Sequence, residues 1–151
     1  MQHVTFKLLI LLHLLGSATW IGGHVVVVGV IVPAAKRARS VARIVEFERS
    51  FGPIGLAALL VQVGSGIGLA HHWIPDVRAA LIAPTLVVYL LAAKLALLTT
   101  IIALAAHAHH RILPGLTAER IPSFAAHAWL TTLLSVGLLV VGATIRLGGW
   151  T

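Results

Sequence analysis

Four apolar runs, residues 8–32, 51–70, 81–106 and 124–145, make up most of this chain of 151 residues. A helix needs about 20 apolar residues to cross the hydrocarbon of a bilayer, and every run reaches that length. Hydrocarbon offers no partner for backbone N–H and C=O groups, so the runs are expected as helices, whose backbone bonds are all internal. Composition agrees: 59% of the residues are hydrophobic, 10% are charged and the mean hydropathy is +1.02. A soluble domain of this size could not bury so much apolar surface. The sequence reads as one all-α domain over residues 1–151, an integral membrane four-helix bundle. The first run is about twice as long as a signal-peptide core and ends at Val32-Pro33 without a small-residue cleavage pattern, so it is expected to stay in the mature protein.

Charge sets the expected orientation. Residues 33–50 hold Lys36, Arg37, Arg39, Arg43 and Arg49, and the third connection holds Arg111 and Arg120. The other side shows only Lys7, Arg78 and Arg146. Because Lys and Arg favour cytoplasmic loops, both termini are expected outside, in the periplasm of a bacterial-type inner (cytoplasmic) membrane. The net charge of +7 is then accounted for by insertion and by anionic headgroups, and no nucleic-acid partner is expected. Residues 36–49 are expected to form a basic amphipathic segment on the inner surface, with Val41, Ile44, Val45 and Phe47 toward lipid. Cysteine is absent, which excludes disulfides, thiolate ligands and iron–sulfur clusters. A metal would have to be held by His, Lys, Met1 or oxygen. The four acids, Glu46, Glu48, Asp76 and Glu119, all fall in expected loops, so hydrolytic chemistry has no acid or activated nucleophile in the core.

Nine histidines and one central lysine interrupt the hydrocarbon. His13 and His24 are eleven residues apart, which at about 100° per residue places them within about 20° of one face and roughly 16 Å apart. Trp20 shares that stripe, and polar groups in hydrocarbon tend to face a bundle's interior. By depth, His13 matches His71 and His72 at the outer end of the second helix, and His24 matches His107 and His127 nearer the cytoplasm. Two neutral imidazoles from facing helices can clamp a haem iron while the porphyrin fills the core. Gly64, Gly66 and Gly68 would let a flat macrocycle approach, or equally another helix. His3, His109 and His110 fit better as headgroup residues, and His71 and His72 beside Trp73 could belong to an interfacial belt. Lys94 stands mid-span with a full apolar turn on either side, where a charge costs at least about 2.5–3.5 kcal/mol on insertion scales. It could snorkel, lose its proton, pair with a haem propionate, transfer protons or ligate as an amine. Tyr89, Gln62 and Ser65 are polar neighbours whose facing the sequence leaves open.

The stretch LLHLLGSATWIGGHVVVVGVIVP, with His13, Trp20 and Gly22-Gly23, is followed by VGSGIGLA at residues 63–70 and LLAAKLALLTTIIALAAHAHHRILP around Lys94. Together these resemble the copper-resistance D (CopD) family of membrane proteins, and the wider group that includes the HemJ-type protoporphyrinogen IX oxidases. The resemblance spans roughly residues 6–115. In HemJ-like proteins a first-helix His and a third-helix Lys are the essential pair and haem b is bound; the matching positions are His13 and Lys94. The Tyr and Arg that follow Trp-x-x-Gly in that subgroup are replaced here by His24 and valines. The CopD likeness implies copper uptake, with His24 as an additional ligand, and a bundle of this size would have to oligomerise, as a homodimer for instance, to form a transport path.

Three functions follow as expectations. The first is a haem b protein, with one or two haems, that exchanges electrons with quinone, oxygen, porphyrinogen or another lipid-soluble substrate; His13, His24, His71, His72, His107 and His127 are its candidate ligands, with Trp20, Gly64 and Gly68 lining the cofactor and Lys94 as the catalytic group. The second is copper handling, with His13, His24, His72, His107 and His127 as ligands but without Cys to favour Cu(I). The third is an accessory membrane subunit.

Overall fold

The computed structural model of the protein describes residues 2–147, apart from the side chains of Gln2 and Arg146. Met1, the only thioether, lies outside them. Four helical rods, His3–Ala38, Ala42–Trp73, Leu86–Gly115 and Ala118–Ile145, are each long and apolar enough to cross a membrane. Among the described residues there is no strand.

The first rod is composite. Helix α1 (Gln2–Val26) passes through a π-helical turn, Val27–Ile31, into α2 (Val32–Ala38). The wide turn sits just before Pro33, and the Val32 N–H reaches back to Val27 O. Proline has no N–H and its ring crowds the carbonyl four residues back, and a widened turn absorbs both effects. The same device recurs at Ala108–Ile112, just before Pro114. Helix α2 ends at Arg39, whose left-handed backbone (φ 47, ψ 38) lets the Ser40 N–H close on Ala35 O at 3.2 Å.

Helix α3 (Ala42–Trp73) starts well before the second apolar run, so Pro53 lies inside it rather than at its opening. The expected amphipathic surface segment is therefore divided. Residues 36–38 close α2, Arg39 turns the chain, and residues 42–50 form the first turns of α3. Ile44 is buried at 1% exposure among Val27, Val28, Val32, Ile121 and Phe124, with Val41 and Phe47 packed on that cluster. Only Val45 of the four apolar positions keeps the exposed, lipid-facing character expected of it. Burial inside the hairpin satisfies this apolar face without lipid.

The third run is also divided. Asp76 caps the short helix α4 (Val77–Ile82), its carboxylate accepting the Ala79 N–H at 3.0 Å. Pro84 then forces its predecessor Ala83 out of helical geometry, so α5 (Leu86–His107) begins beyond it rather than at residue 81. Helix α6 (Ile121–Leu147) completes the bundle.

Packing is uneven. Helix α1 lies along α3, α5 lies along α6, and α1 touches α6 between the pairs. Small residues permit the first contact: a Cβ on Gly16 would stand 2.8 Å from Ala58 O, and one on Gly68 would stand 2.9 Å from Leu9 Cδ1. Helix α5 is peripheral, with Ile101 its only buried residue, against Trp20, Leu59 and Leu138. Leu15, Leu60 and Leu133 are among the large apolar side chains left on the outside, the proper surface for a lipid solvent.

Gly16→Ala is expected to destabilise the bundle by about 1–3 kcal/mol through overpacking at Ala58. Gly22→Ala, where nothing lies within 4 Å, should be neutral or stabilising by up to about 1 kcal/mol. Thermal unfolding of both variants in detergent checks this; equal losses would mean that α1 and α3 do not meet at Gly16.

Candidate functional site

The stripe of α1 read from the sequence does face the interior: Gly16, Ser17 and Trp20 are buried, and His13 and His24 are half-buried. His13 meets α3 beside Gly66, where a Cβ would come within 3.2 Å of the imidazole Cε1. Its Nδ1 is 3.0 Å from the Gln62 carbonyl oxygen and 3.2 Å from Ser65 Oγ. A carbonyl can only accept, so Nδ1 carries the proton and donates it. The Ser65 hydroxyl donates to Val61 O at 2.6 Å, leaving its oxygen free to accept from the same imidazole. The other ring nitrogen, Nε2, therefore presents a lone pair, and it faces the Lys94 amine at 3.3 Å.

Lys94 reaches this point from α5 because α6 has a glycine in its path. A Cβ on Gly142 would lie 3.1 Å from Nζ. The four acids of the chain stand at rod ends or in connections, so the amine has an imidazole for its partner rather than a carboxylate. The Lys94–His13 hydrogen bond joins the two halves of the bundle in the third of the rods nearest the starts of α1 and α5. A second tie lies deeper. Trp20 Nε1–H donates to Ser135 Oγ at 3.0 Å, and that hydroxyl donates to Thr131 O at 2.8 Å.

These groups line a half-open cavity of ≈ 390 Å³ between α1, α3, α5 and α6. Trp20 and Ser135 form its deep end, Trp73 and Val87 stand at the other, and Leu91 and Leu138 contribute to largely hydrocarbon walls. Its polar side chains include His13, Lys94 and Gln62. Gln62 is 8% exposed, and its Oε1 is buried without a hydrogen-bond partner. A buried acceptor of this kind calls for a donor from a bound group or water. The site offers a lone-pair nitrogen, a basic amine and an unpaired amide oxygen inside hydrocarbon, which suits ligation and proton exchange.

Of the candidates named from the sequence, His13, Trp20 and Lys94 line this cavity. His24 turns to its own helix, donating Nδ1–H to Trp20 O at 3.0 Å with its ring 4.6 Å from the indole. His107 and His127 meet each other, ring centroids 5.4 Å apart, and His127 donates Nε2–H to Leu104 O at 2.8 Å. His71 and His72 are exposed, and His72 lies on Phe6 at 4.2 Å and beside Trp73. Gly64 has nothing within 4 Å, while Gly68 serves the α1–α3 contact. Among the described residues no three side chains of the His, Cys, Asp or Glu type converge.

Gln62 O and Ser65 Oγ, from polar residues whose facing the sequence leaves open, lie on the far side of the imidazole from the Lys94 amine. The sequence does not separate Gly66 from Gly64 and Gly68, and it gives Ser17 and Gly142 no distinguishing signal. Gln62 and Ser65 are the polar residues within the apolar run of α3, which was the available signal. Ser135 gave none, because Ser and Thr in a membrane helix commonly bond their own backbone. Comparison of the chain with models of known families, with characterised proteins and with solved structures gives no match.

Ser135→Ala should leave the Trp20 N–H buried and unpaired, lowering stability by about 1–3 kcal/mol. Combining it with Trp20→Phe should cost less than the sum of the separate losses. Additive losses in a double-mutant cycle would remove this tie between α1 and α6.

Proposed function

We propose that the protein is a haem b-binding integral membrane protein with an electron-transfer or oxidoreductase role, and that His13 would supply a ligating nitrogen. The observation that carries this reading is the state of that imidazole. Its Nδ1–H is anchored on a backbone carbonyl, the arrangement that orients a ligating histidine and raises its basicity. Its Nε2 lone pair is left at the cavity, and Lys94 is the group that meets it there.

The cavity supports the reading by its chemistry. Cofactor and ligand sites are mostly apolar with a few placed polar groups, a description that fits the largely hydrocarbon walls around His13, Lys94 and Gln62. Gly66 and Gly142 keep Cβ atoms away from the imidazole and the amine. Haem b would supply a one-electron couple. Lys94 would hold a propionate or offer its amine to the metal, and would pass a proton to or from a lipid-soluble substrate such as a quinone. Gln62 would accept one hydrogen bond from whatever is bound. Support of this kind exists at one site; His24, His107 and His127 show no comparable arrangement. For copper handling, the cavity offers two nitrogens, Nε2 of His13 and the Lys94 amine, as its starting ligands.

Absorption spectra of the detergent-purified protein, oxidised and dithionite-reduced, with iron and copper measured on the same sample, test the proposal. The expected result is a Soret band with sharp reduced α and β bands, lost in His13→Ala and retained in Lys94→Met with changed redox activity. A featureless spectrum with stoichiometric copper would transfer His13 to a copper site; neither metal, with cofactor loss excluded, would leave an accessory subunit.

We further propose a bacterial-type inner membrane, with both termini periplasmic. The support is the crowding of Lys36, Arg37, Arg39, Arg43, Arg49, Arg111 and Arg120 at one end of the rods. Because the chain has no cysteine, single substitutions report topology directly. On intact cells a membrane-impermeant maleimide should label Ala79→Cys and spare Ala38→Cys; the opposite pattern inverts the assignment.

A further inference from the structure

We propose that the connection between α5 and α6 forms a binding site for a phosphate oxyanion, and that the occupant is the headgroup of an acidic glycerophospholipid. Four residues, Arg111, Ile112, Arg120 and Ser123, line a second cavity of ≈ 310 Å³. They come from three different elements: the π-helical turn Ala108–Ile112, the 3-10 turn Ala118–Arg120 and the first turn of α6. The chain doubles back over Pro114 and Gly115, and Arg120 lies over that glycine, with Nη1 3.7 Å from where a Cβ would stand. A cavity between two guanidiniums is the result.

Neither guanidinium is neutralised from within. Among the described residues no ion pair or hydrogen bond engages the side chain of Arg111, Arg120 or Ser123. The adjacent acid, Glu119, directs its carboxylate to Thr117. Each guanidinium can present a fork of parallel N–H donors to a phosphate, and the Ser123 hydroxyl, which lines the same cavity, can supply another donor. The remaining Lys and Arg side chains at this end, Lys36 and Arg37 in the last turn of α2, Arg39 at the turn, and Arg43 and Arg49 in the first turns of α3, line neither cavity. Their placement is met by the general attraction of basic loops to an anionic surface; the convergence of Arg111 and Arg120 is a more specific arrangement, since basic pockets between membrane helices are suited to phospholipid headgroups.

Free phosphate shares this chemistry, but the surroundings favour lipid. The site lies where the α5 and α6 rods end, at headgroup level, and exposed Trp129, Leu130 and Leu133 continue from it along α6. A phospholipid clamped by its phosphate would lay its acyl chains on that surface.

The test is the unfolding midpoint and native mass spectrum of the full chain in detergent with phosphatidylglycerol, phosphatidylcholine or inorganic phosphate. Phosphatidylglycerol should raise the midpoint and remain bound, phosphatidylcholine should do so weakly, and inorganic phosphate should have no effect at equal concentration. Arg111→Gln with Arg120→Gln should weaken phosphatidylglycerol about tenfold or more, whereas Lys36→Gln with Arg37→Gln, removing equal charge at the same end, should change it little. Arg111→Lys, which keeps charge and fold but loses the fork, should give an intermediate loss. Equal weakening by the two double variants would overturn the site in favour of diffuse charge, and stabilisation by inorganic phosphate matching that by lipid would overturn the lipid assignment.

Discussion

Inside hydrocarbon no water is at hand to satisfy a polar group, and the rest of this structure depends on that constraint. It makes the spans helical, and it explains why so many of their hydroxyls fold back on their own backbone: Thr99, Thr100, Thr131, Thr132 and Ser135 each donate to the carbonyl four residues earlier. Groups that cannot be satisfied locally must find partners on another helix. The imidazole of His13 does so at both nitrogens, Gln62 O on one side and Lys94 on the other. The indole of Trp20 does so at Ser135. These few bonds between helices are therefore where architecture and chemistry coincide.

Close approach is the second determinant. Glycine at positions 16, 66 and 68 lets α1 and α3 come together tightly enough for a backbone carbonyl to hold an imidazole. Helix α5 has only Ile101 buried and rests mainly on α6. The molecule is thus two helix pairs joined at α1 and α6, and a cavity remains where α5 stands off from α1 and α3. Lys94 crosses that space. The closely packed α1–α3 pair on one side orients the imidazole, and the peripheral α5 on the other supplies room and an amine on a long stem.

That combination is the physical basis of the haem proposal. A histidine held at Nδ1 by a backbone carbonyl and met at Nε2 by an amine, in a largely apolar cavity, is suited to hold a metal centre and to manage a proton beside it. The opposite end of the bundle has a different character. Arginines, prolines and short helical turns produce exposed positive charge there, and the proposed phosphate site would tie the α5–α6 hairpin to the membrane surface without involving the central cavity.

Much of this was legible in the chain. Apolar length determined the number of spans, and helical periodicity, a local property of about 100° per residue, determined that His13, Trp20 and His24 share an inward stripe. The cost of charge in hydrocarbon singled out Lys94. The start of α3 at Ala42 was missed because Ile44 and Phe47 read as lipid-facing until a neighbouring helix covered them, and the start of α5 because an apolar run hides the effect of Pro84. The partners were beyond reach altogether. Depth matching grouped His24 with His107 and His127, but only the last two meet. It set His72 opposite His13, but His72 rests on Phe6. Sequence determines which residues share a face of one helix. The rotation and separation of one helix against another, and hence that Nε2 of His13 faces Lys94 while Gln62 Oε1 is left without a partner, were decided by tertiary packing at glycines such as Gly16, Gly66 and Gly142, because nothing local records what lies across the gap.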